Sequence, residues 1–397
     1  MIVYLDNSAT TKQSDEVTSE MLRIVKDCYG NPSSLHALGV ASEKELKASR
    51  KKLSAVCGAS DEEIYFTSGG TESDNTAIFQ GVKSLKRQGN KVITTKIEHP
   101  AVLECCKSLE NQGLELIYAD VDKNGFVNPD DIKNLVDNKT ILVSIMQVNN
   151  ETGAIQPISE IGNIVYRASE KMSHKVLFHC DAVQGFGKLQ TNVKSDRIDL
   201  LSASAHKLHG PRGVGLLYVN RDVHIRPLIC GGGQESGLRS GTENLPGIAG
   251  FAAAIKADIR GESATAHVTK LRDLLIEGIK TEIPDIRINS PVDEPDGCLP
   301  HILNISFVGA RGEVLLHMLE QAGIFVSTGS ACSSKKKGGS HVLTAMGLAP
   351  DEIEGALRFS FTHKNTQEEI EYTVDKLKKA VAEHRRVMSI ASGGRRR

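Results

Sequence analysis

The sequence predicts an α/β fold in which a mostly parallel sheet is covered by helices on both faces. Between about residue 60 and about residue 220, short apolar runs of strand length alternate with stretches of helical pattern. The 36 glycines against 12 prolines suit the many tight turns of such a fold. At 397 residues the chain exceeds the usual length of one domain, about 100–200 residues, so we expect a second domain and a sizeable core. The predicted strands of the sheet are "EIYFTSG", "KVITTKIEH", "TILVSIMQVNNE", "KVLFHCDAVQG", "DLLSASAHK" and "GVGLLYV".

The other elements follow from the same patterns. Helices are predicted between the strands at Ser73–Gln88, Pro100–Gln112 and Ser159–Lys171. An amphipathic helical region extends from Leu245 to about Ile283, and "HILNISFVG" and "GIFVSTGS" then predict strands of a smaller α+β unit. A last charged helix is predicted at Thr366–Val387, followed by a disordered tail "SGGRRR". We predict a large domain at 15–260 and a small domain formed by 1–14 with 261–397.

Composition and charge exclude several classes of function. The net charge of -1 gives no indication of a nucleic acid or an anionic membrane as partner. No apolar run reaches the roughly 18–20 residues of a membrane span, and "MIVYLDNSATTK" does not have the pattern of a secretory signal. We therefore expect a cytoplasmic protein. Its eight cysteines form no C-x-x-C pair, which argues against a zinc ribbon or a thioredoxin-like site, and we expect reduced thiols.

The stretch "FTSGGTESDN" predicts an anion site. An apolar strand ends at Gly69-Gly70, and Thr71 opens a helix. Free amides at a helix start, with glycines that permit close approach, suit a phosphate. The alternative is an ordinary helix cap, for which Thr71 alone would suffice.

Two further strands end in residues that could carry chemistry. Asp181 ends the strand in "HCDAVQG", where a carboxylate can hold a protonated ring nitrogen; the alternative is a hydrogen-bonded loop aspartate. Lys207 directly follows "DLLSASA", beside His206 and before a Gly-Pro turn. Desolvation or a nearby cation would make its amine available for a Schiff base, whereas the default for a single lysine is a surface position.

Together these three features predict a pyridoxal 5'-phosphate (PLP) site, which requires an anion site, an acid for the ring nitrogen and a Schiff-base lysine. His99 ends "VITTKIEH" and precedes Pro100, which disfavours helix at His99. A histidine at that edge can stack on the cofactor ring and relay protons. The alternative is a hydrogen-bonded loop histidine.

An ordered set of motifs covers nearly the whole chain and resembles a known family. The motifs are "YLDNSATT", "GNPSSLH", "FTSGGTESDN", "EH" at Glu98-His99, "VNNETG", "DAVQ", "SAHKLHGPRGVGLLYV", "GGGQESGLRSGTEN" and "STGSACSS". The sequence resembles the PLP-dependent cysteine desulfurases of the NifS/IscS type, within the class V aminotransferases. This resemblance implies PLP-dependent transferase fold type I, with a large, mostly parallel seven-stranded sheet domain and a smaller α+β C-terminal domain.

The resemblance also implies roles for site residues. Lys207 would form the Schiff base, Asp181 would hold the pyridine nitrogen, and Gln184 would bond the ring hydroxyl oxygen. Asn150 would sit at the cofactor and substrate edge, and His99 would stack on the ring. The residues implied to bind the phosphate are Gly70, Thr71, Ser204 and His206.

Three residues would serve the substrate and the neighbouring subunit. Thr242 would reach the phosphate of a second subunit, which implies a homodimer with a shared site. Arg358, in "ALRFSF", would grip the substrate carboxylate with its planar fork. Asn31, in "GNPSS", would line the substrate site.

Cys332 lies in "VSTGSACSSKKKGG", a stretch of small and basic residues. By the resemblance its thiolate attacks the sulfur of L-cysteine, leaving L-alanine and a persulfide. The sulfur would pass to an acceptor or scaffold protein for iron–sulfur cluster assembly or tRNA thiolation. Lys335–Lys337 would favour the thiolate, or form only a solvated charge cluster. We expect no resident metal site, although Cys332 could transiently ligate an Fe–S cluster.

Three rival functions stay open at this point. A class V aminotransferase acting on serine or alanine would share Lys207 and Asp181 but would not need Cys332. A non-catalytic sulfur carrier or cluster scaffold would need Cys332 but not Lys207. A selenocysteine lyase would use the same residues on a different chalcogen.

Overall fold

The computed structural model describes residues 1–172, 174–255, 262–294, 296–329 and 339–393. Its largest sheet has seven strands in the order β2-β8-β7-β6-β5-β3-β4. All neighbours are parallel except β8, which runs antiparallel to both β2 and β7. The predicted seven-stranded, mostly parallel sheet is therefore confirmed. Its strands are β2 Ile64–Thr67, β3 Lys91–Thr95, β4 Glu115–Ala119, β5 Thr140–Met146, β6 Leu177–Asp181, β7 Leu200–Ser204 and β8 Gly215–Val219.

Six of these strands coincide with the predicted apolar runs, and β4 was not predicted. Strands β3, β5, β6, β7 and β8 are buried along their whole length, which gives the continuous apolar runs typical of a covered parallel sheet. Strand β4 lies at the edge of the sheet and is partly exposed, so its pattern is weaker.

The helices cover the sheet and the smaller unit. Their bounds are Asp15–Asp27, Ala37–Cys57, Gly70–Asn75, Gly81–Leu85, Pro100–Glu110, Pro129–Leu135, Ile158–Lys171, Leu245–Ala254, Glu262–Glu282, Gly312–Gln321, His341–Ala345, Pro350–Glu354 and Gln367–Gly393. Within the described ranges, no helix is both long enough and apolar enough to span a membrane.

Several helix bounds differ from the predicted ones. The helix predicted at Ser73–Gln88 begins at Gly70, passes through a π-helical turn at Thr76–Gln80 and ends at Leu85. The helical region predicted from Leu245 forms two helices, and residues 256–261 between them lie outside the described ranges. The last helix continues to Gly393, beyond its predicted end, and residues 394–397 are not described.

A smaller unit combines the N-terminus with the C-terminal part of the chain. Strands β9 Ile286–Ile288, β10 Ile302–Phe307 and β12 Ala356–Ser360 form an antiparallel sheet, and β1 Val3–Tyr4 pairs in parallel with β11 Ile324–Phe325. Val3 and Leu5 are fully buried in an apolar cluster with Phe307 and Phe359 of this unit. The predicted domain boundaries stay a prediction.

The topology brings the polar ends of several strands to one edge. Strands β2, β3, β5, β6 and β7 all run in the same direction, so their carboxyl ends lie at the same edge of the sheet. Ligands of open α/β sheets bind at this edge. The N-terminal segment reaches it from the smaller unit, where Asn7 Nδ2 donates to the carbonyl oxygen of Ser360 at 2.8 Å.

Candidate active site

A cavity of about 260 Å³ lies at the carboxyl edge of the large sheet. Ten of the predicted site residues line it, nine from the part of the chain that forms the large sheet and its connections and one, Arg358, from β12 of the smaller unit. They are Gly70, Thr71, His99, Asn150, Asp181, Gln184, Ser204, His206, Lys207 and Arg358.

Lys207 lies in a short 3-10 turn, Ala205–Lys207, that begins as β7 ends. Its Nζ donates to the carbonyl oxygen of Ser8 at 2.5 Å and to that of Ala9 at 2.9 Å. Both acceptors belong to the N-terminal segment, which therefore holds the amine at the wall of the cavity.

Asp181, the last residue of β6, is only 5% exposed. The amide N–H of Val183 donates to Oδ1 at 3.0 Å. Burial raises the pKa of Asp181 to about 6, and the Val183 N–H and the Lys207 cation oppose that rise. A buried carboxylate with so little compensation favours a cationic partner in the cavity, such as a protonated pyridine nitrogen.

Four buried polar atoms of lining residues have no hydrogen-bond partner within the described ranges: Asp74 Oδ1, Gln184 Oε1, Ser204 Oγ and Arg358 Nε. Gln184 is held by its other end, since Nε2 donates to the Ser8 carbonyl oxygen at 3.1 Å. Because an unsatisfied buried polar group is costly, these atoms indicate a polar ligand in the cavity.

The backbone at Gly70 packs too closely for a larger residue. A Cβ built on Gly70 would lie 2.7 Å from Val183 Cγ2. Glycine therefore lets the start of this helix approach the loop after β6, next to the unpartnered Ser204 hydroxyl. His206 borders the same cavity with Nδ1 3.2 Å from Thr10 Oγ1, and burial lowers its pKa to about 4.

His99 is the N-cap of the helix Pro100–Glu110. Its Nδ1 accepts the Ala101 N–H at 3.1 Å, so this nitrogen carries no proton and the neutral ring is protonated on Nε2. Burial lowers the pKa of His99 to about 4, and the nearby charges of Lys207 and His341 act in the same direction. At neutral pH the ring is uncharged.

Arg358 on β12 is 2% exposed and closes the cavity from the side of the smaller unit. Its Nη1 donates to the Asn150 carbonyl oxygen at 2.9 Å, and its Nη2 pairs with Asp6 Oδ1 at 2.9 Å. Its Nε has no hydrogen-bond partner within the described ranges. The guanidinium can therefore accept a further anionic ligand.

Two predicted site residues lie elsewhere, and one is not described. Among the residues that the structure describes, Asn31 and Thr242 are exposed and are not part of the cavity wall. Asn31 Oδ1 instead accepts the Ser33 N–H at 2.9 Å. Cys332 and Lys335–Lys337 lie outside the described ranges.

The sequence did not predict three groups that the structure places at the site. Ser8 and Ala9 contribute carbonyl oxygens, which no side-chain pattern can signal. Asp74 is 1% exposed and faces the cavity, and burial together with the charge of Asp181 raises its pKa. Asp74 follows Thr71 by three residues, so both lie on the same face of the helix, and this spacing could have predicted Asp74 at the site.

Behind Asp181 lies a buried histidine on the same strand face. His179 Nδ1 is 2.8 Å from Ser144 Oγ and its Nε2 is 3.0 Å from Ser202 Oγ. The same Nε2 is 3.6 Å from Asp74 Oδ1. Burial lowers the pKa of His179 to about 3, so a neutral imidazole fixes the two flanking serines beneath the cavity floor.

Comparisons with known proteins agree with this geometry. Residues 3–373 match the aminotransferase class-V family. The cysteine desulfurase IscS of Clostridium botulinum is 45% identical over 384 residues, which are 96% of this chain and 95% of the relative. The solved structure of a NifS-like protein has a TM-score of 0.89 at 39% identity, covering 96% of this chain and 100% of that one. The structure of SspA in complex with cysteine has a TM-score of 0.79 at 33% identity, covering 92% and 100%.

Members of this family depend on PLP, and the cavity fits that cofactor. Asp181 matches a protonated ring nitrogen, while Gln184 Oε1 and Ser204 Oγ are buried polar atoms that a ring substituent and a phosphate would satisfy. Lys207 borders the same space with its amine. The matched length, the relatives and this donor set together show that the chain belongs to the class-V aminotransferases, and within them to the PLP-dependent cysteine desulfurases of the NifS/IscS type.

Proposed function

We propose that this enzyme converts L-cysteine to L-alanine with PLP held on Lys207, and that the sulfur passes to Cys332. One observation carries the proposal. A single cavity brings together the amine of Lys207, the carboxylate of Asp181, which can pair with a ring nitrogen, and the guanidinium of Arg358, which can bind a carboxylate. These are the three contacts that an amino acid bound to PLP requires.

PLP, when bound, withdraws electrons from the substrate Cα, which makes the Cα proton acidic and weakens the carbon–sulfur bond. Asp181 keeps a proton on the ring nitrogen and thereby maintains that electron withdrawal. Gln184 would hold the cofactor ring by a hydrogen bond to the ring hydroxyl, and the neutral imidazole of His99 would stack on the cofactor ring. Gly70, Thr71, Ser204 and His206 bind the phosphate.

Lys207 Nζ moves the proton at Cα. The carbonyl oxygens of Ser8 and Ala9 hold this amine at the cavity wall when it is not bound to the cofactor. These carbonyl oxygens accept hydrogen bonds from Nζ but are too weakly basic to remove a proton from it. Nζ therefore stays available both to remove the Cα proton and to return one.

Arg358 binds the substrate carboxylate, and Asn150 fixes the arginine. The Asn150 carbonyl accepts from Nη1, and the open Nε donor remains for the ligand. Because Arg358 is buried and held on a strand, the carboxylate position is set by rigid structure.

We assign the sulfur-accepting thiol to Cys332 from its sequence position. Two described residues on either side of the segment 330–338, Gly329 and Ser340, lie close to Glu151, the residue after Asn150. Ser340 Oγ donates to Glu151 Oε2 at 2.5 Å, and a Cβ built on Gly329 would lie 3.0 Å from the same oxygen. These two flanking residues therefore lie next to the residue that follows Asn150 of the cavity wall, which supports the assignment.

The transfer balances as a displacement at sulfur. The Cys332 thiolate attacks the substrate sulfur, so a sulfur–sulfur bond forms as the carbon–sulfur bond breaks. The electron pair of that bond goes to the carbon side, and a proton at Cβ completes L-alanine. The persulfide sulfur then passes to an acceptor protein, for cluster assembly or tRNA thiolation.

A homodimer would complete the site through Thr242. Thr242 is exposed. Glu235, seven residues earlier, is fixed by hydrogen bonds from Arg50 Nη1 and Nη2 at 2.8 and 2.7 Å. Leu35 is 98% exposed and Tyr29 71%, which supports an apolar contact surface on the same chain. A second copy is the partner that a shared PLP site implies.

The test measures alanine and sulfide from L-cysteine with a thiol reductant present. Wild type should form both in equal amounts, and Lys207→Ala should form neither. Cys332→Ala should lose sulfide release while keeping a visible cofactor band that borohydride abolishes. Sulfide release by Lys207→Ala would refute the proposal, and so would full sulfide release by Cys332→Ala. Transamination that Cys332→Ala leaves intact, with no sulfide formed by wild type, would favour the aminotransferase alternative.

A further inference from the structure

The N-terminal segment contacts both of the cations that the proposed reaction uses. Asp6 pairs with Arg358, and two and three residues later Ser8 and Ala9 accept from Lys207 Nζ. The contact with Arg358 is made by a side chain, so it can be changed without altering the backbone.

The segment is fixed on the edge of β12. Asn7 Nδ2 donates to the Ser360 carbonyl oxygen, and the Ser8 N–H donates to Ser360 Oγ at 2.8 Å. The Ser360 N–H in turn donates to the carbonyl oxygen of Leu5 at 2.7 Å. Asp6 lies between these anchors, so its carboxylate has a defined position next to Arg358, two residues before Ser360 on the same strand.

The two partners differ in their surroundings. The Arg358 side chain is 2% exposed, whereas that of Asp6 is 21% exposed. Arg358 lines the cavity and Asp6 is not part of its wall. The carboxylate therefore holds the guanidinium from outside the cavity, through Nη2.

This arrangement leaves a defined donor for a ligand. Nη1 donates one of its two N–H bonds to Asn150 and Nη2 one of its two to Asp6, while the single N–H of Nε has no partner within the described ranges. A guanidinium is planar, so fixing Nη1 and Nη2 also fixes the direction of the Nε–H bond. Without Asp6, the plane could rotate away from the ligand, and a buried cation would lose its counter-charge.

We propose that Asp6 is a positioning residue for the substrate carboxylate: it holds Arg358 by Nη2 so that Nε faces the α-carboxylate of the amino acid. The inference rests on the proposed role of Arg358 in binding that carboxylate. Asp6 itself does not contact the substrate. Its effect is confined to ligands that carry a carboxylate.

The experiment compares two non-reacting ligands that differ only in the carboxylate. L-Alanine and ethylamine are titrated into the PLP-loaded enzyme, and dissociation constants are read from the cofactor absorbance. In Asp6→Ala the dissociation constant of L-alanine should rise about tenfold, as expected for loss of a charge-assisted hydrogen bond. That of ethylamine should stay within about twofold of wild type.

Two further variants refine the result. Asp6→Asn keeps an oxygen acceptor for Nη2 but loses the charge, so L-alanine should weaken by only about threefold. If Asp6→Ala fails to fold, this variant carries the test. Asp15→Asn, an exposed carboxylate at the start of the first helix, is the matched control and should change neither ligand.

The outcomes separate this inference from the proposed function. Arg358→Lys should weaken L-alanine but not ethylamine; if it weakens neither or both equally, the assigned role of Arg358 fails. If Arg358→Lys discriminates between the ligands and the Asp6 variants do not, only the role of Asp6 is overturned. Urea unfolding of the apoproteins provides a readout independent of PLP, in which Asp6→Ala should be less stable than Asp6→Asn.

Discussion

Replacing Asp181 with asparagine should stabilise the apoprotein and weaken PLP binding at the same time. The amide oxygen of asparagine still accepts the Val183 N–H, so the local geometry is preserved. What is lost is a buried negative charge that only the cofactor compensates fully.

The magnitude follows from the pKa of Asp181. Burial raises it from 3.8 to about 6 in the folded apoprotein. The folded state therefore binds a proton more tightly than the unfolded state, and stability falls as pH rises from about 4 to about 6. Above pH 6 the full cost of about 3 kcal/mol is present. Asp181→Asn should recover about 3 kcal/mol in the apoprotein at pH 8 and about half of that at pH 5.

The assay is urea unfolding of apoprotein at both pH values, with a separate PLP titration. The dissociation constant of PLP should rise at least about tenfold, because the pairing with the ring nitrogen is lost. Asp199→Asn is the matched control. Asp199 is a buried carboxylate outside the cavity that pairs with Lys175, so its replacement should leave PLP affinity unchanged. An Asp181→Asn apoprotein no more stable than wild type at pH 8 would refute the reasoning.

Two other predictions concern the labelling of cysteines and the buried ion pair between Arg50 and Glu235. Burial raises the pKa of Cys105 to about 12, so iodoacetamide at pH 8 should label Cys332 and leave Cys105 unmodified. Peptide mass mapping identifies the labelled cysteines. Sulfide release that survives labelling of Cys332 would contradict the role of this residue. Arg50→Ala leaves the buried Glu235 carboxylate without its ion pair and should lower the free energy of unfolding by about 3 kcal/mol in urea melts. The control Arg23→Ala breaks two partly exposed ion pairs, with Glu20 and Glu45, and should cost less than about 1 kcal/mol. Equal losses in the two variants would show that burial of the ion pair does not matter.

The positions of Asp181 and Lys207 at one edge followed from sequence because each comes directly after a buried apolar strand. Parallel strands direct their carboxyl ends to the same edge, so residues that follow different strands meet there. Arg358 was predicted only through the family resemblance. Its strand belongs to another sheet, and no local pattern signals that β12 closes the cavity.

Contacts made by the main chain could not be predicted. The carbonyls of Ser8 and Ala9 hold Lys207, yet every residue carries a carbonyl, so sequence does not distinguish these two. The strand predicted in "GIFVSTGS" is limited to Ile324–Phe325 because its partner β1 offers only two residues for pairing. Such limits depend on long-range packing, which local propensity does not encode.

The most direct test is single-turnover mass spectrometry of the PLP-loaded enzyme mixed with L-cysteine in the absence of reductant. We expect the peptide that contains Cys332 to gain the mass of one sulfur atom, with one L-alanine released for each sulfur gained and no gain in Lys207→Ala. Alanine formation with the added sulfur on another cysteine, or on none, would contradict the account.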